Sequence, residues 1–205
     1  MKDAFVLCGA SSFMQSINTK NKIIIITAPS GAGKTSITKY LLNKFPQLVF
    51  SISAATRSPR GTEKDGVDYY FISADAFKQK INEEAFAEWE MVYEGKYYGT
   101  LKSELQRIWS NNCVPVLDID VKGAIHVQQQ YGDNVLSIFI EPPSVDELKK
   151  RLEKRGTETP ESIATRLNKA AYEISFKHHF NKTIINDDLN KACAEAEEAV
   201  VNFLG

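Results

Sequence analysis

The chain has 205 residues, 43% of them hydrophobic and 25% charged, with a formal net charge of −1. That length buries a substantial interior within one domain, or within a core carrying small inserted lobes. The near-neutral balance excludes a general binder of nucleic acid or of a membrane surface, so any affinity for anions has to come from local clusters.

The start, MKDAFVLCGASSF, has a short apolar patch and one lysine, but its acidic Asp3 and brief core make a poor secretory signal. Residues 1–20 read as a weakly ordered extension, with Met14 a second candidate start. No apolar run approaches a membrane span. Cys8, Cys113 and Cys193 are odd in number, scattered and without C-x-x-C spacing. They read as reduced thiols of a cytoplasmic protein, not as a disulfide framework or a zinc site.

Residues 23–38, IIIITAPSGAGKTSIT, join a β-branched run to a Gly-rich turn and a helical pattern. This order makes a phosphate cradle. Backbone N–H groups of Ser30 to Thr35 can turn inward on an anion, and the helix adds the positive end of its dipole. Across Ala28, Pro29, Ser30, Gly31, Ala32, Gly33, Lys34, Thr35 and Ser36 the loop suits a nucleoside triphosphate. Lys34 reaches its β- and γ-phosphates, and the Thr35 hydroxyl ligates Mg²⁺. Ala28 stands where the pattern usually has its first glycine, which a small residue can fill if φ is negative.

The helical pattern from Ser36 to Lys44 places Ile37, Leu41 and Leu42 on one face before Pro46 ends it. Residues 51–100 break the rhythm: SISAATR, DYYFIS, EWEMVY and KYYGT are short and β-rich, with a helix over Ala74 to Asn82 behind Ser73. They read as a small β lobe inserted after the first βα unit. Continuous apolar runs predict buried parallel strands at Val114 to Asp118, Val135 to Ile140 and Thr183 to Ile185. Ser144 with Glu147 is a capping-box signature for a helix through Arg155, with Leu148 and Leu152 inward. Thr159-Pro160 caps another that carries Ile163, Leu167, Ala171 and Ile174. The connection from Gly156 to Pro160 reads as the tip of a movable flap. Leu189 to Phe203 closes the chain as an amphipathic helix. Strands alternating with helices imply a doubly wound α/β sheet.

The inserted lobe concentrates Ser53, Arg57, Arg60, Tyr69, Glu88, Tyr97, Tyr98 and Thr100. Two arginines three residues apart, with tyrosines near, suit a second phosphate. Glu88 alternates with Ala87 and Trp89, which fits either a solvated position or a base-reading group. A guanine edge offers N1–H and N2–H₂ side by side, and one carboxylate accepts both. Asp118 ends an apolar strand, a suitable place for a carboxylate near the metal, possible through a water; Asp120 points the same way. Arg151 and Arg155 share a helix face, and Arg166 follows across the flap. They fit either a solvated basic face paired with Glu147 and Glu153 or a cationic lid. Asn186 and Asp187 follow the last strand, where an adenine contact, a turn and a helix N-cap are all reasonable. His126, His178 and His179 lack metal-ligand partners at sensible spacing. Trp89 and Trp109 read as packing anchors.

From about Lys22 to its end the chain resembles the guanylate kinases, a family of P-loop nucleoside monophosphate kinases. The resemblance rests on APSGAGKT, SISAATRSPR, GVDYYF, EW followed by YYGT, LDIDVKGA, EPPSVDELKKRLEKRGTETPESIATRL and IIND, in that order. It implies a P-loop core over 21–50 and 101–205, a GMP-binding lobe over 51–100 and a helical lid over about 144–175. It also implies transfer of phosphate from ATP with Mg²⁺ to GMP, giving ADP and GDP. The residues matching the family's GMP site are Ser53, Arg57, Arg60, Tyr69, Glu88, Tyr98, Thr100 and Asp118. Which of Tyr97 and Tyr98 faces the ligand is set by resemblance alone. Lys34, Arg57, Arg151, Arg155 and Arg166 are then the cations for the transferring group. Lys122 departs from the glutamine common in the family. Two other readings remain: a non-catalytic phosphopeptide-binding module of guanylate-kinase-like build, and a sibling kinase acting on another small phosphate ester. The sequence leaves a monomer and a homo-oligomer equally open.

Overall fold

The computed structural model describes residues 19–154 and 159–205. Arg155, Cys8, Met14 and the expected extension up to residue 18 lie outside the described residues.

Five strands form one parallel sheet: β1 (Ile23–Thr27), β2 (Leu48–Phe50), β7 (Val114–Asp118), β8 (Val135–Glu141) and β9 (Lys182–Ile185). Their order is β2-β7-β1-β8-β9, with β1 at the centre. A central strand needs two apolar faces, and β1 supplies them through its period of two. Ile24 and Ile26 join the cluster made with α1 (Lys34–Lys44) and α7 (Leu189–Leu204). Ile23 and Ile25 join the opposite cluster, with α3 (Lys102–Ser110) and α4 (Val121–Tyr131). All four isoleucines are fully buried, each worth about 1.5–3 kcal/mol over exposure. The two helical layers around one sheet are the doubly wound α/β core that the sequence implies.

A second, four-stranded sheet runs β4-β3-β6-β5, built from β3 (Ala54–Ala55), β4 (Tyr70–Phe71), β5 (Phe86–Tyr93) and β6 (Lys96–Leu101). Helix α2 (Ala74–Asn82) packs on one face through Phe77, which stacks on Phe86 and Tyr97. Ser73 caps α2 as expected, accepting from the Ala76 N–H at 3.1 Å. Between the two sheets, buried Glu104 of α3 accepts from the Ile52 N–H at 3.1 Å and the Tyr70 hydroxyl at 2.8 Å.

The remaining helices, α5 (Val145–Lys154) and α6 (Pro160–Ser175), pack on each other through Leu148, Leu152, Ile163, Leu167 and Ala170. Both expected caps are present: Ser144 Oγ accepts from the Glu147 N–H at 3.0 Å and Thr159 Oγ1 from the Ser162 N–H at 3.3 Å. Ala171 is a correction, since it is exposed while Ala170 is buried. The inward line of α6 advances by four and then three residues, from Ile163 to Leu167 to Ala170. Trp89 is a second correction: it is 44% exposed and lies against the Tyr97 ring at the surface, with centroids 6.2 Å apart, and does not anchor the core. Trp109 is half-buried, and its Nε1–H donates to the Lys22 carbonyl at 2.9 Å. Among the described residues no helix is long and apolar enough to cross a membrane.

Candidate active site

The central strand β1 ends at Thr27, and the chain turns through residues 28–33 before α1 begins at Lys34. Gly31 and Gly33 take φ of 98° and 101°. Ala28 is outside the left-handed region, so an alanine serves at that position as the sequence requires. The Ala32 N–H is spent within the turn, on the Pro29 carbonyl at 3.0 Å. Asn186 braces the loop from the end of β9: its Nδ2 donates to the Ala32 carbonyl at 2.7 Å, and its own N–H donates to the Glu141 carbonyl at 2.8 Å. Asp187 is exposed, and the cap of α7 is Asp188, which accepts from the Lys191 N–H at 2.9 Å.

This brace makes Gly33 irreplaceable. A Cβ there would lie 2.0 Å from Asn186 Nδ2, in a backbone conformation that L side chains rarely adopt. Left-handed strain alone costs about 1–3 kcal/mol. Gly33→Ala is therefore expected to displace Asn186 from the Ala32 carbonyl and to lower stability by at least about 1–3 kcal/mol, as read by denaturant unfolding.

Lys34 donates to the carboxylate of Asp118, which ends the neighbouring strand β7. Thr35 and Ser36 are exposed on the first turn of α1. From this pair a cavity of about 400 Å³ runs into the second sheet, lined by Ser53, Asp68, Tyr69, Glu88, Glu90, Tyr98, Asp120 and Lys169 among others. Glu88 and Thr100 are paired across β5 and β6. Both are buried, and the Thr100 hydroxyl donates to Glu88 Oε1 at 2.7 Å. Burial pushes the Glu88 carboxyl up to about 7, against the Thr100 hydrogen bond; the Asp120 charge raises it further. Glu90 is also raised to about 7, first by the neighbouring Asp120 carboxylate and then by burial. Asp120 has a structural task as well, capping α4 by accepting from the Gly123 N–H at 2.8 Å.

Tyr69 and Tyr98 line the cavity as well, and Arg57 joins them. Arg57 Nε donates to the Tyr98 hydroxyl at 3.1 Å, and its guanidinium lies 4.8 Å from the Tyr69 ring centroid. Its fork is occupied by Glu63, with Nη2 at 2.8 Å from Oε1. Arg57 holds the Glu63 carboxyl down at about 2. Arg60 is exposed, and its backbone N–H donates to the same Glu63 at 2.8 Å. The two tyrosines separate by strand alternation: Tyr97 stacks on Phe77 beneath the sheet, and Tyr98 lines the cavity.

The helices α5 and α6 lean on the phosphate loop. A Cβ on Gly31 would meet Leu148 Cδ1 at 3.0 Å, and Arg166 Nη1 donates to Ser30 Oγ at 2.5 Å. Arg151 instead donates to Glu147 Oε1 one turn away, at 3.2 Å. Its partner is thus the one expected of a solvated basic face. His126, His178 and His179 are exposed, and no group of three or more His, Cys, Asp or Glu among the described residues could hold a metal by itself.

A triphosphate-type loop facing a buried, hydroxyl-bonded carboxylate across one cavity agrees with the comparisons to known proteins. The guanylate kinase family model matches residues 20–202. A guanylate kinase of Bacteroides fragilis is 49% identical over 90% of this chain and 90% of its own length. One from Porphyromonas gingivalis is 46% identical over 89% of this chain and 98% of its own. The chain belongs to the guanylate kinase family. The crystal structure of guanylate kinase from Anaplasma phagocytophilum superposes with a TM-score of 0.70 at 28% identity, covering 92% of this chain and 88% of that one.

Within this guanylate kinase fold the cavity and the arginine pair beside it also involve residues that the sequence reading passed over. Glu63 follows Arg60 by three residues, a spacing that could have suggested its turn-closing bond. Glu90 alternates with Glu88 on the same strand face, a visible signal. Asp68 and Lys169 carried none, because only the tertiary fold brings α6 beside β5 and the loop before β4. Lys122, the departure from the family pattern, is exposed and sits 5.8 Å from the Tyr172 ring centroid.

Proposed function

We propose that the chain transfers the γ-phosphoryl group of ATP to GMP, giving ADP and GDP, with the triphosphate on residues 28–36 and GMP in the cavity over 51–100. The observation that carries this reading is Glu88, a buried carboxylate fixed by Thr100 in a cavity that Lys34 and Asp118 also line. An ionised carboxylate accepts from guanine N1–H and N2–H₂ together, while adenine turns an acceptor toward it. Ser53 and Thr100 hydroxyls lie beside that edge. Tyr69, Tyr98 and Arg57 bind the GMP phosphate, which competes with Glu63 for the guanidinium; Arg60 adds a second cation from the rim.

The reaction needs no protein base. An oxygen of the GMP phosphate, largely ionised near neutral pH, attacks the γ-phosphorus, and the bond to the β–γ bridging oxygen breaks as ADP leaves with the electron pair. What the residues supply is alignment of two polyanions and charge to offset that on the transferring group. Lys34 does this from the loop, Arg166 from α6, and Arg151 after exchanging Glu147 for a phosphate; Arg155 belongs to the same set. Such cations are worth about 10³–10⁵ in rate by analogy with arginine fingers. Residues 144–175 act as a lid that excludes water. The Thr35 hydroxyl and the Asp118 carboxylate are hard oxygen donors, too few to cage a cation alone, which suits Mg²⁺ arriving with the ATP phosphates. Bound there, Mg²⁺ would neutralise phosphate charge. Asn186 steadies the loop that binds ATP, and Asp187 lies beside it at the surface. Buried Cys193, a thiol outside any disulfide, supports a cytoplasmic setting.

A coupled ADP-release assay across the common nucleoside monophosphates tests the proposal. GMP is expected to exceed AMP by about 10⁴ or more in kcat/KM; equal use of both would remove the base-reading role. Acidity gives a further check. GMP needs Glu88 ionised, so affinity is expected to fall as pH drops through about 7. The GMP phosphate also takes up a proton, near pH ~6, so Glu88→Gln serves as the reference, and it retains Glu90. The wild-type to variant ratio of GMP affinities should fall roughly 20-fold from pH ~7.5 to ~5.5. A flat ratio contradicts the assignment.

A further inference from the structure

We infer that Gly123 is a specificity-determining position, kept without a side chain so that the first turn of α4 can serve as the back wall for the Glu88 carboxylate. Gly123 is the buried third residue of α4. Its φ lies outside the left-handed region, so the backbone does not ask for glycine. Alanine is the better helix former at such a place. The reason for glycine is therefore space.

That space belongs to one group. A Cβ at Gly123 would lie 2.8 Å from Glu88 Oε2, closer than real Cβ contacts come, and 3.4 Å from both Glu88 Cδ and Asp120 Oδ1, which is ordinary contact. Something must shift, and it is the carboxylate. As the end of a side chain it can move without disturbing the backbone, so the fold tolerates the methyl group. The carboxylate itself cannot move freely and still read a base: Thr100 holds Oε1 at 2.7 Å, and Glu88 is only 6% exposed. A misplacement of about 1 Å at a positioning group can cost 10²-fold. Gly123 touches no substrate; it acts through Glu88.

The inference rests on the reading of Glu88 as the guanine-binding group, and the test separates the two. Gly123→Ala, Glu88→Asp and the double variant are compared by kcat, KM for GMP and for AMP, ATP affinity by titration, and Tm. Gly123→Ala is expected to raise KM for GMP by about 10- to 100-fold, with ATP affinity and Tm close to wild type and a narrowed GMP-to-AMP preference. Aspartate withdraws the carboxylate by one methylene and makes room for the methyl group. Adding Gly123→Ala to Glu88→Asp should then cost no more than about twofold further, a non-additive outcome. If Glu88→Asp raises KM for GMP and Gly123→Ala does not, the role of Gly123 is overturned while the reading of Glu88 stands. If Glu88→Asp leaves KM for GMP unchanged, the reading itself falls. Parallel losses of GMP use, ATP affinity and Tm in Gly123→Ala, or additive losses in the double variant, would make the glycine a packing residue and overturn the inference.

Discussion

Glu88→Gln is expected to lower kcat/KM for GMP by about 10²–10⁴ while ATP affinity stays near the wild-type value. The variant keeps the shape of the side chain and removes one property, the ability to accept at both oxygens. Guanine presents two donors side by side. With glutamine, one amide oxygen accepts from the base, and the amide N–H₂ confronts the other donor. Hydrogen bonds to a charged group are worth about 1.5–3 kcal/mol each, and a buried donor left unpaired costs further. With tenfold per ~1.4 kcal/mol, losing one such bond and leaving its donor unpaired, at about 1–3 kcal/mol more, gives the stated range. In the proposed arrangement ATP binds on the loop and α1, and Glu88 is not among the groups there. Comparable losses for both nucleotides would mean that Glu88 supports the fold and does not read the base.

Lys34→Ala is expected to lower kcat by about 10²–10³, the usual cost of removing one preorganised charge or donor from a transition state. Here the lysine opens α1, directly after a turn held by Asn186, and reaches the Asp118 carboxylate at the end of β7. It is thus positioned by the same elements that hold the phosphate loop. Because the pair is partly solvent-exposed, its loss should matter little to folding, so Tm is the control. Lys34→Arg is expected to fail as well, since a planar fork does not replace a compact ammonium at a crowded phosphate. A kcat within about threefold of wild type in single-turnover measurements would remove Lys34 from the transferring step.

Much of the fold was legible because its strongest signals are local. β7 coincides with the apolar run 114–118, and α2 with the segment behind Ser73, because burial on both sheet faces and a capping hydroxyl each mark a short stretch of chain. β2 has three residues, too few for a periodic signal, and went unread. So did α3 and α4. In α4 the glycine that makes room for Glu88 and the polar run Gln128 to Gln130 weaken the helical pattern. The site divides in the same way. The loop, the arginine pair and the alternation of Glu88 can be read from neighbours in sequence. The brace between Asn186 and Ala32 joins residues 154 apart, and the occupation of Arg57 by Glu63 requires knowing how the turn folds back. Tertiary contact decides both.

One crystal structure, grown with GMP and a non-hydrolysable ATP analogue, tests the central claim most directly. Guanine N1 and N2 are expected within hydrogen-bonding distance of the Glu88 carboxylate, with the triphosphate on residues 28–36. A guanine ring seated anywhere else, with Glu88 still bonded only to Thr100, would contradict the account.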